Sequence, residues 1–298
     1  MIVKTLEPRA NVRTPETDRT KPGTAIALQR AQGEVRLSFK KSGERSALDE
    51  LYQKGCLKAR LPRTPGGCPE AVLINTSGGL TDGDRLSIGA EWHAGTSAVI
   101  TTQACERIYK SRAAPARIET RLSVCNEASA FWLPQETILF DGGRLERRNH
   151  VALSGSARLI ACESVILGRP AMGETVRSGL LRDSWHIERD GKLIFADHLG
   201  LEENPSACLD RQAMGAGARA FASVIVCAPD SVRLRDRVLP LFDRLKLERP
   251  TVITGCSDLG GVLLARLLAP SGHELRAALI PLLEFLRGGD ELPRVWTC

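Results

Sequence analysis

From Thr24 onward, short apolar runs alternate with polar residues, and Gly, Asp, Asn or Pro ends most of the runs. Ala25–Leu28 and Val35–Phe39, separated by a polar stretch that holds Gly33, predict a β-hairpin. The middle of the chain predicts strands at Ala71–Ile74, Arg85–Ala90, Ser97–Thr102, Arg117–Val124 and Ala130–Leu133. Further strands are predicted at Thr137–Phe140, Arg147–Leu153, Ala157–Leu167, Leu180–Glu188 and Lys192–His198. Short strands with frequent turns indicate a sandwich, a barrel or a solenoid. No helical pattern of about 10–15 residues separates them, which disfavours a parallel sheet built from strand–helix–strand units.

The last third reads differently. Ala220–Ala228 and Pro250–Thr254 predict strands, and Val232–Glu248 predicts a helix with Pro240 as a possible interruption. Leu259–Leu268 predicts a second helix, with Ser257 or Asp258 as its cap and Pro270 beyond its end. His273–Arg287 predicts a third, kinked or shortened at Pro281. Residues 1–23 carry three prolines and many charges and are expected to form a flexible tail. Residues 24–298 show no linker and are expected to form one domain.

Composition narrows the class. The 298 residues are 43% hydrophobic before 27 glycines are counted, which is enough to build a packed core. The net charge is +6, with small excesses at Lys40, Lys41 and Arg45 and at Arg144, Arg147 and Arg148. Neither cluster has the density or interleaved aromatics of a nucleic-acid groove, so both read as solvated surface. Nine cysteines occur without a C-x-x-C pair, so no zinc ribbon or dithiol redox site is signalled. Cys125, Cys162 and Cys227 lie in apolar runs and read as small core residues. Scattered thiols suit a reducing compartment. The first 24 residues lack the apolar segment of a secretory leader, and no apolar run is long enough to cross a bilayer. The expectation is a cytoplasmic protein with no membrane or nucleic-acid partner. The five histidines are far apart and none shows metal-binding spacing.

Four stretches carry candidate chemistry. Gly78-Gly79-Leu80-Thr81-Asp82-Gly83-Asp84-Arg85-Leu86 holds three glycines and reads as a structural turn; it lacks the Lys-Ser/Thr of a phosphate-binding loop. Thr101–Ser111 (TTQACERIYKS) combines hydroxyls, a thiol, a carboxylate and cations but no histidine to activate Cys105. In Trp132–Phe140 (WLPQETILF), Pro134 marks a strand end, and Glu136 faces either solvent, the simpler reading, or a polar channel. Leu167–Glu174 (LGRPAMGE) follows a run in which Glu163 interrupts apolar residues. A carboxylate there needs water or a partner charge; an exposed strand face explains it equally well.

These four stretches in this order, with Glu50–Arg63 (containing LYQKGCLKARLPR) before them, resemble the urease accessory protein family UreD, also called UreH. The resemblance covers roughly residues 24–230. Gln103, Cys105 and Glu106 depart from the family's usual second motif. The resemblance implies a mainly β, elongated, two-layer solenoid or β-helix-like structure with a few C-terminal helices. It implies a scaffold that binds apo-urease and the accessory protein UreF, which recruits the GTPase UreG. Such a hetero-oligomer would pass Ni²⁺ along a polar internal path, with no turnover chemistry and no tightly bound cofactor.

Ni²⁺ prefers imidazole and mixed nitrogen and oxygen donors, and a site that bound it tightly would retain it. Weak carboxylate and hydroxyl positions suit transfer better. Asp84, Thr101, Thr102, Glu136, Glu163 and Glu174, in or beside the matching motifs, are the candidate path residues. The main alternative is a β-solenoid hydrolase or lyase using carboxylate catalysis, though no acid–base pair is legible from spacing.

Overall fold

The computed structural model describes residues 29–64, 68–169, 172–228 and 231–297. The expected tail over residues 1–23 and the predicted strand Ala25–Leu28 lie outside these residues. Two stacked sheets dominate. The first is formed by β1 (Gln32–Ser42), β2 (Arg45–Gly55), β5 (Arg85–Trp92), β8 (Ala116–Val124), β11 (Arg144–Leu153), β13 (Gly179–Arg189) and β14 (Lys192–Glu203). The second contains β3 (Leu57–Arg60), β4 (Glu70–Asn75), β6 (Ser97–Thr102), β7 (Glu106–Ile108), β9 (Ser129–Leu133), β10 (Thr137–Leu139) and β12 (Arg158–Leu167). It is completed by β15 (Ala220–Cys227), β16 (Ile253–Asp258) and β17 (Val262–Ala269).

The chain winds between the sheets. Each coil lays one strand in the second sheet and one in the first, and successive coils pair in parallel: β4, β6, β9 and β12 on one side, β5, β8, β11 and β13 on the other. This is the expected two-layer β-solenoid. Stacking turns positions one coil apart into neighbours. Asn75 and Glu106, Cys105 and Glu136, and Trp132 and Glu163 each hydrogen-bond across 31 residues.

The apolar pattern sets the layers. In β12 the odd positions Leu159, Ala161 and Val165 join the core between the sheets, while Ile160 and Cys162 join a second core under the helices. Covered on both faces, β12 therefore reads as a nearly continuous apolar run. The second core is closed by α2 (Ser231–Glu248) and α3 (Gly272–Leu286), both continuous through their internal prolines. Ser271 Oγ caps α3 by accepting from the Glu274 N–H at 3.3 Å. A short helix, α1 (Pro205–Asp210), packs beside β13 and β14.

Two expectations fail here. Val35–Phe39 lies in β1, whose hairpin partner is the downstream strand β2. Strand β2 is mostly exposed, and β3 and β7 are only four and three residues long, so their pattern is too weak or too short to be read from the sequence. The predicted helix Leu259–Leu268 is instead the second arm of the β16–β17 hairpin, turned at Gly260 and Gly261, both with positive φ. An isolated apolar run of this length fits either element. The two-residue alternation of Leu263, Ala265, Leu267 and Ala269 into the helix-side core decides for a strand.

The last described element is a short 3₁₀ turn, Arg294–Trp296, that plugs into the second sheet. Trp296 is fully buried, and its Nε1–H donates to Thr101 Oγ1 and the Leu133 carbonyl, both at 3.2 Å. Replacing it leaves a large cavity and two acceptors without this donor. Trp296→Ala should lower stability in urea denaturation by about 3–5 kcal/mol.

Candidate functional site

In β11 the strand period puts Leu145, Arg147, Asn149, Val151 and Leu153 on the inner face. Arg147 and Asn149 therefore point into the space between the sheets. This corrects the reading of Arg144, Arg147 and Arg148 as one solvated cluster: the Arg147 side chain is 4% exposed. Facing it from β12 is Glu163, an odd-numbered position of the inner face, 5% exposed. Arg147 Nη1 lies 2.5 Å from Glu163 Oε2, and Nη2 lies 2.6 Å from Asp183 Oδ2 on β13. Trp132 Nε1–H donates to Glu163 Oε1 at 3.1 Å, Asn149 Nδ2 to Asp183 Oδ1 at 3.2 Å, and Arg147 Nη1 to Thr137 Oγ1 at 3.1 Å.

This triad ties the two sheets together. Burial alone would lower the guanidinium's pKa, but Asp183 and Glu163 outweigh it and raise Arg147 above its ordinary value. Burial pushes the Glu163 carboxyl up, Arg147 pulls it back, and Asp183 adds to the rise. Arg147 Nε, Asn149 Oδ1 and Thr120 Oγ1 are buried without a protein partner. Buried polar atoms of this kind call for water or a polar guest.

A cavity of about 210 Å³ runs from this triad to the protein surface. Its floor is Thr120, Trp132, Thr137, Arg147 and Glu163; its mouth is Asn75, Gly78, Gly79 and the segment 103–107. The glycine-rich loop forms one lip. Gly79 has φ +143°, and a Cβ there would run into the Tyr109 ring and lie 2.8 Å from the Arg107 carbonyl. Leu80 N–H donates to that same carbonyl at 2.7 Å, locking the loop to the next coil. The loop is therefore the structural turn that its glycines predict.

Glu106 stands at the mouth. Asn75 Nδ2 donates to both of its carboxylate oxygens at 3.1 Å. Burial raises its pKa to about 6, and the Asn75 bonds pull it partly back. Next to it, burial first and the Glu136 carboxylate second push the Cys105 thiol up to about 11. Cys105 is thus a neutral thiol that donates to Glu136 Oε2 at 3.4 Å, and not an activated nucleophile. Glu136 is 1% exposed, which corrects its reading as a solvent-facing residue. Burial alone would raise its pKa, but Arg276 Nε and Nη2, at 2.9 and 2.8 Å, more than reverse that. Arg276 also donates to Gln135 and to the Trp296 carbonyl, so this ion pair fastens α3 and the Trp296 turn over the cavity wall.

The six path candidates separate accordingly. Thr102 and Glu163 line the cavity, and Glu136 adjoins it through Cys105. Thr101 points to the other face of the second sheet and accepts from Trp296. Asp84 is a turn residue that accepts from the Thr81 and Ala31 N–H groups at 2.8 Å. Glu174 pairs with Arg169 at 2.7 Å and is not among the cavity residues. Sequence reasoning missed Arg147, Asn149, Asp183 and Thr120, although the alternation around residues 145–153 carried the signal for the first two. The lining offers carboxylate, amide, hydroxyl and thiol groups and no histidine among the described residues.

A profile described as "UreD urease accessory protein" matches residues 31–297. The chain is similar to the urease accessory protein UreD of Chelativorans sp. (strain BNC1), 46% identical over 272 residues, 91% of this chain and 95% of that protein. It is also 46% identical over 277 residues to the UreD of Sinorhizobium medicae (strain WSM419), covering 92% and 98% of the two chains. The UreD of Agrobacterium fabrum is 43% identical over 271 residues, 91% and 93% of the two chains.

The mouth carboxylate gives a direct check. An NMR titration should place Glu106 near pH 6, and Asn75→Ala should move it higher. A carboxyl whose folded value is raised stabilises the fold below its unfolded value of 4.5 and loses that contribution as pH rises through about 6. Glu106→Gln should therefore stabilise the protein above pH 6 and change little below 4.5, as read by urea denaturation.

Proposed function

This chain belongs to the UreD family of urease accessory proteins, and we propose that it is a maturation scaffold that helps load nickel into apo-urease. In this reading it binds apo-urease and a UreF-like protein, recruits a UreG-like GTPase through the latter, and conducts Ni²⁺ through its interior. The relatives are accessory proteins, so catalysis by carboxylates as a hydrolase or lyase is set aside. The observation that carries the reading is the cavity that reaches from the surface to Arg147 and Glu163 of the buried triad, its largely apolar wall interrupted by polar groups at the floor and the mouth.

The electrostatics are compatible with a passing cation. A lone guanidinium roughly 4 Å from a divalent ion would repel it by about 8 kcal/mol at an effective dielectric of about 20. Burial pushes the Glu163 carboxyl up to about 7; once it is ionised, Glu163 and Asp183 place two negative charges against that one positive charge and the triad is net negative. Glu106 at the mouth and Thr102 along the wall add oxygen donors. A lining without imidazole among the described residues keeps the path weak, which suits cargo that must leave.

A reconstituted activation assay tests this. Glu163→Gln keeps the shape and the Trp132 contact but removes one negative charge, so Arg147 then faces the path less compensated. The variant should still assemble with UreF and apo-urease on size exclusion, yet activate urease severalfold less. Glu174→Ala, outside the cavity, should activate normally. Full activation by Glu163→Gln would refute the internal path. Loss of complex by the unaltered chain would refute the scaffold itself.

A further inference from the structure

Away from the cavity, the ends of β5 and β8 bring together a second set of ligating side chains. Trp92 and Val124 are register partners, and the Cys125 N–H donates to the Trp92 carbonyl at 2.9 Å. His93 and Cys125, one residue past those strand ends, are thereby fixed side by side. Trp92 points into the core, so Glu91 stands on the outer face. A ring nitrogen of His93, Sγ of Cys125 and a carboxylate oxygen of Glu91 lie within 4.8 Å of one another. Cys125 is half-buried rather than the core residue its apolar neighbours suggest.

A second feature concerns the ring itself. His93 sits between two carboxylates: Nδ1 is 3.5 Å from Glu91 Oε1, and Nε2 is 3.6 Å from Asp49 Oδ2 on β2. Metal-binding imidazoles are commonly oriented by a carboxylate on the nitrogen that does not bind. Asp49 is itself held by Lys40 Nζ at 2.7 Å. Asp49, Glu91 and His93 line an open groove of about 870 Å³ on the outer face, so an ion can reach the cluster from solvent.

We propose that Glu91, His93 and Cys125 form a binding site for a borderline divalent transition-metal ion of the zinc, cobalt and nickel class, with Asp49 orienting the imidazole. Thiolate, imidazole and carboxylate are the donor types such ions take, and three protein ligands leave one position open to water. The thiolate and carboxylate balance the charge of the ion, and the thiol proton is released on binding. Sequence spacing hides the site, because Cys125 comes from the neighbouring coil. The site lies outside the cavity, which meets the same strands on their inner face at Leu86, Ile88, Ile118 and Thr120. It therefore stands or falls independently of the proposed internal path.

Co²⁺ is the probe. Titrated into the purified full-length chain, it should give a saturable thiolate-to-cobalt charge-transfer band at one ion per chain. Cys125→Ser should abolish the band and His93→Gln should remove or greatly weaken it, each with unchanged circular dichroism. Asp49→Asn should weaken binding by about 10–100-fold. Cys105→Ser and Glu163→Gln, in the cavity, should leave the band intact. A band that survives Cys125→Ser, a band lost in Cys105→Ser, or no saturable band overturns the proposal.

Discussion

A guanidinium buried between two sheets sets the terms for the interior of this protein. Stripping water from an ion costs several kcal/mol even after relaxation, and only close, well-aligned counter-charges offset it. Arg147 meets that requirement with contacts of 2.5 and 2.6 Å to Glu163 and Asp183, drawn from β12 and β13. The condition holds only while β11, β12 and β13 keep their register, so the ion triad and the solenoid winding depend on each other. Removing Arg147 would leave two buried carboxylates facing one another without their counter-charge, a change that typically costs about 3–5 kcal/mol.

Stability alone gives little reason for such a triad. Apolar residues of similar volume often do as well or better, by about 1–4 kcal/mol. What the triad provides is a polar interior that ordinary packing would not leave. The cavity above it, the unpartnered Thr120 and Asn149 oxygens, and the raised carboxyl of Glu106 at the mouth all belong to that interior. The second network, Glu136 with Arg276, plays a different role and pins α3 and the Trp296 plug to the outer side of the cavity wall. One carboxylate thus serves the interior and the other serves assembly, though both lie in stretches that look alike as sequence.

Much of the fold is legible in the sequence because strand alternation is a local signal. Residues 85–90, 117–124 and 147–153 alternate cleanly and are strands of the first sheet. Leu259–Leu268 reads wrongly as a helix because a short apolar run fits a buried strand as well, and only the layer beneath it decides. The site is half legible. Glu163 stands out as a charge inside an apolar run, but its partner Arg147 is hidden among exposed arginines, although the same alternation puts it inward. Asp84 and Glu174 qualify only by motif position, and position in a motif does not distinguish a turn residue from a cavity residue. Contacts across 31 residues, such as Asn75 with Glu106, have no local signature. The winding creates them.

In the proposed reading, cargo passes through the space between the sheets. Thr120 lines that space, is 1% exposed and takes no part in the ion triad. A bulky apolar side chain there would fill the cavity while leaving the charges and the outer surface in place. The decisive measurement is urease activation by the assembled complex carrying Thr120→Phe, with assembly verified by size exclusion. An internal path predicts a normal complex that activates poorly. Activation at the parent level from an equally well-formed complex would contradict it.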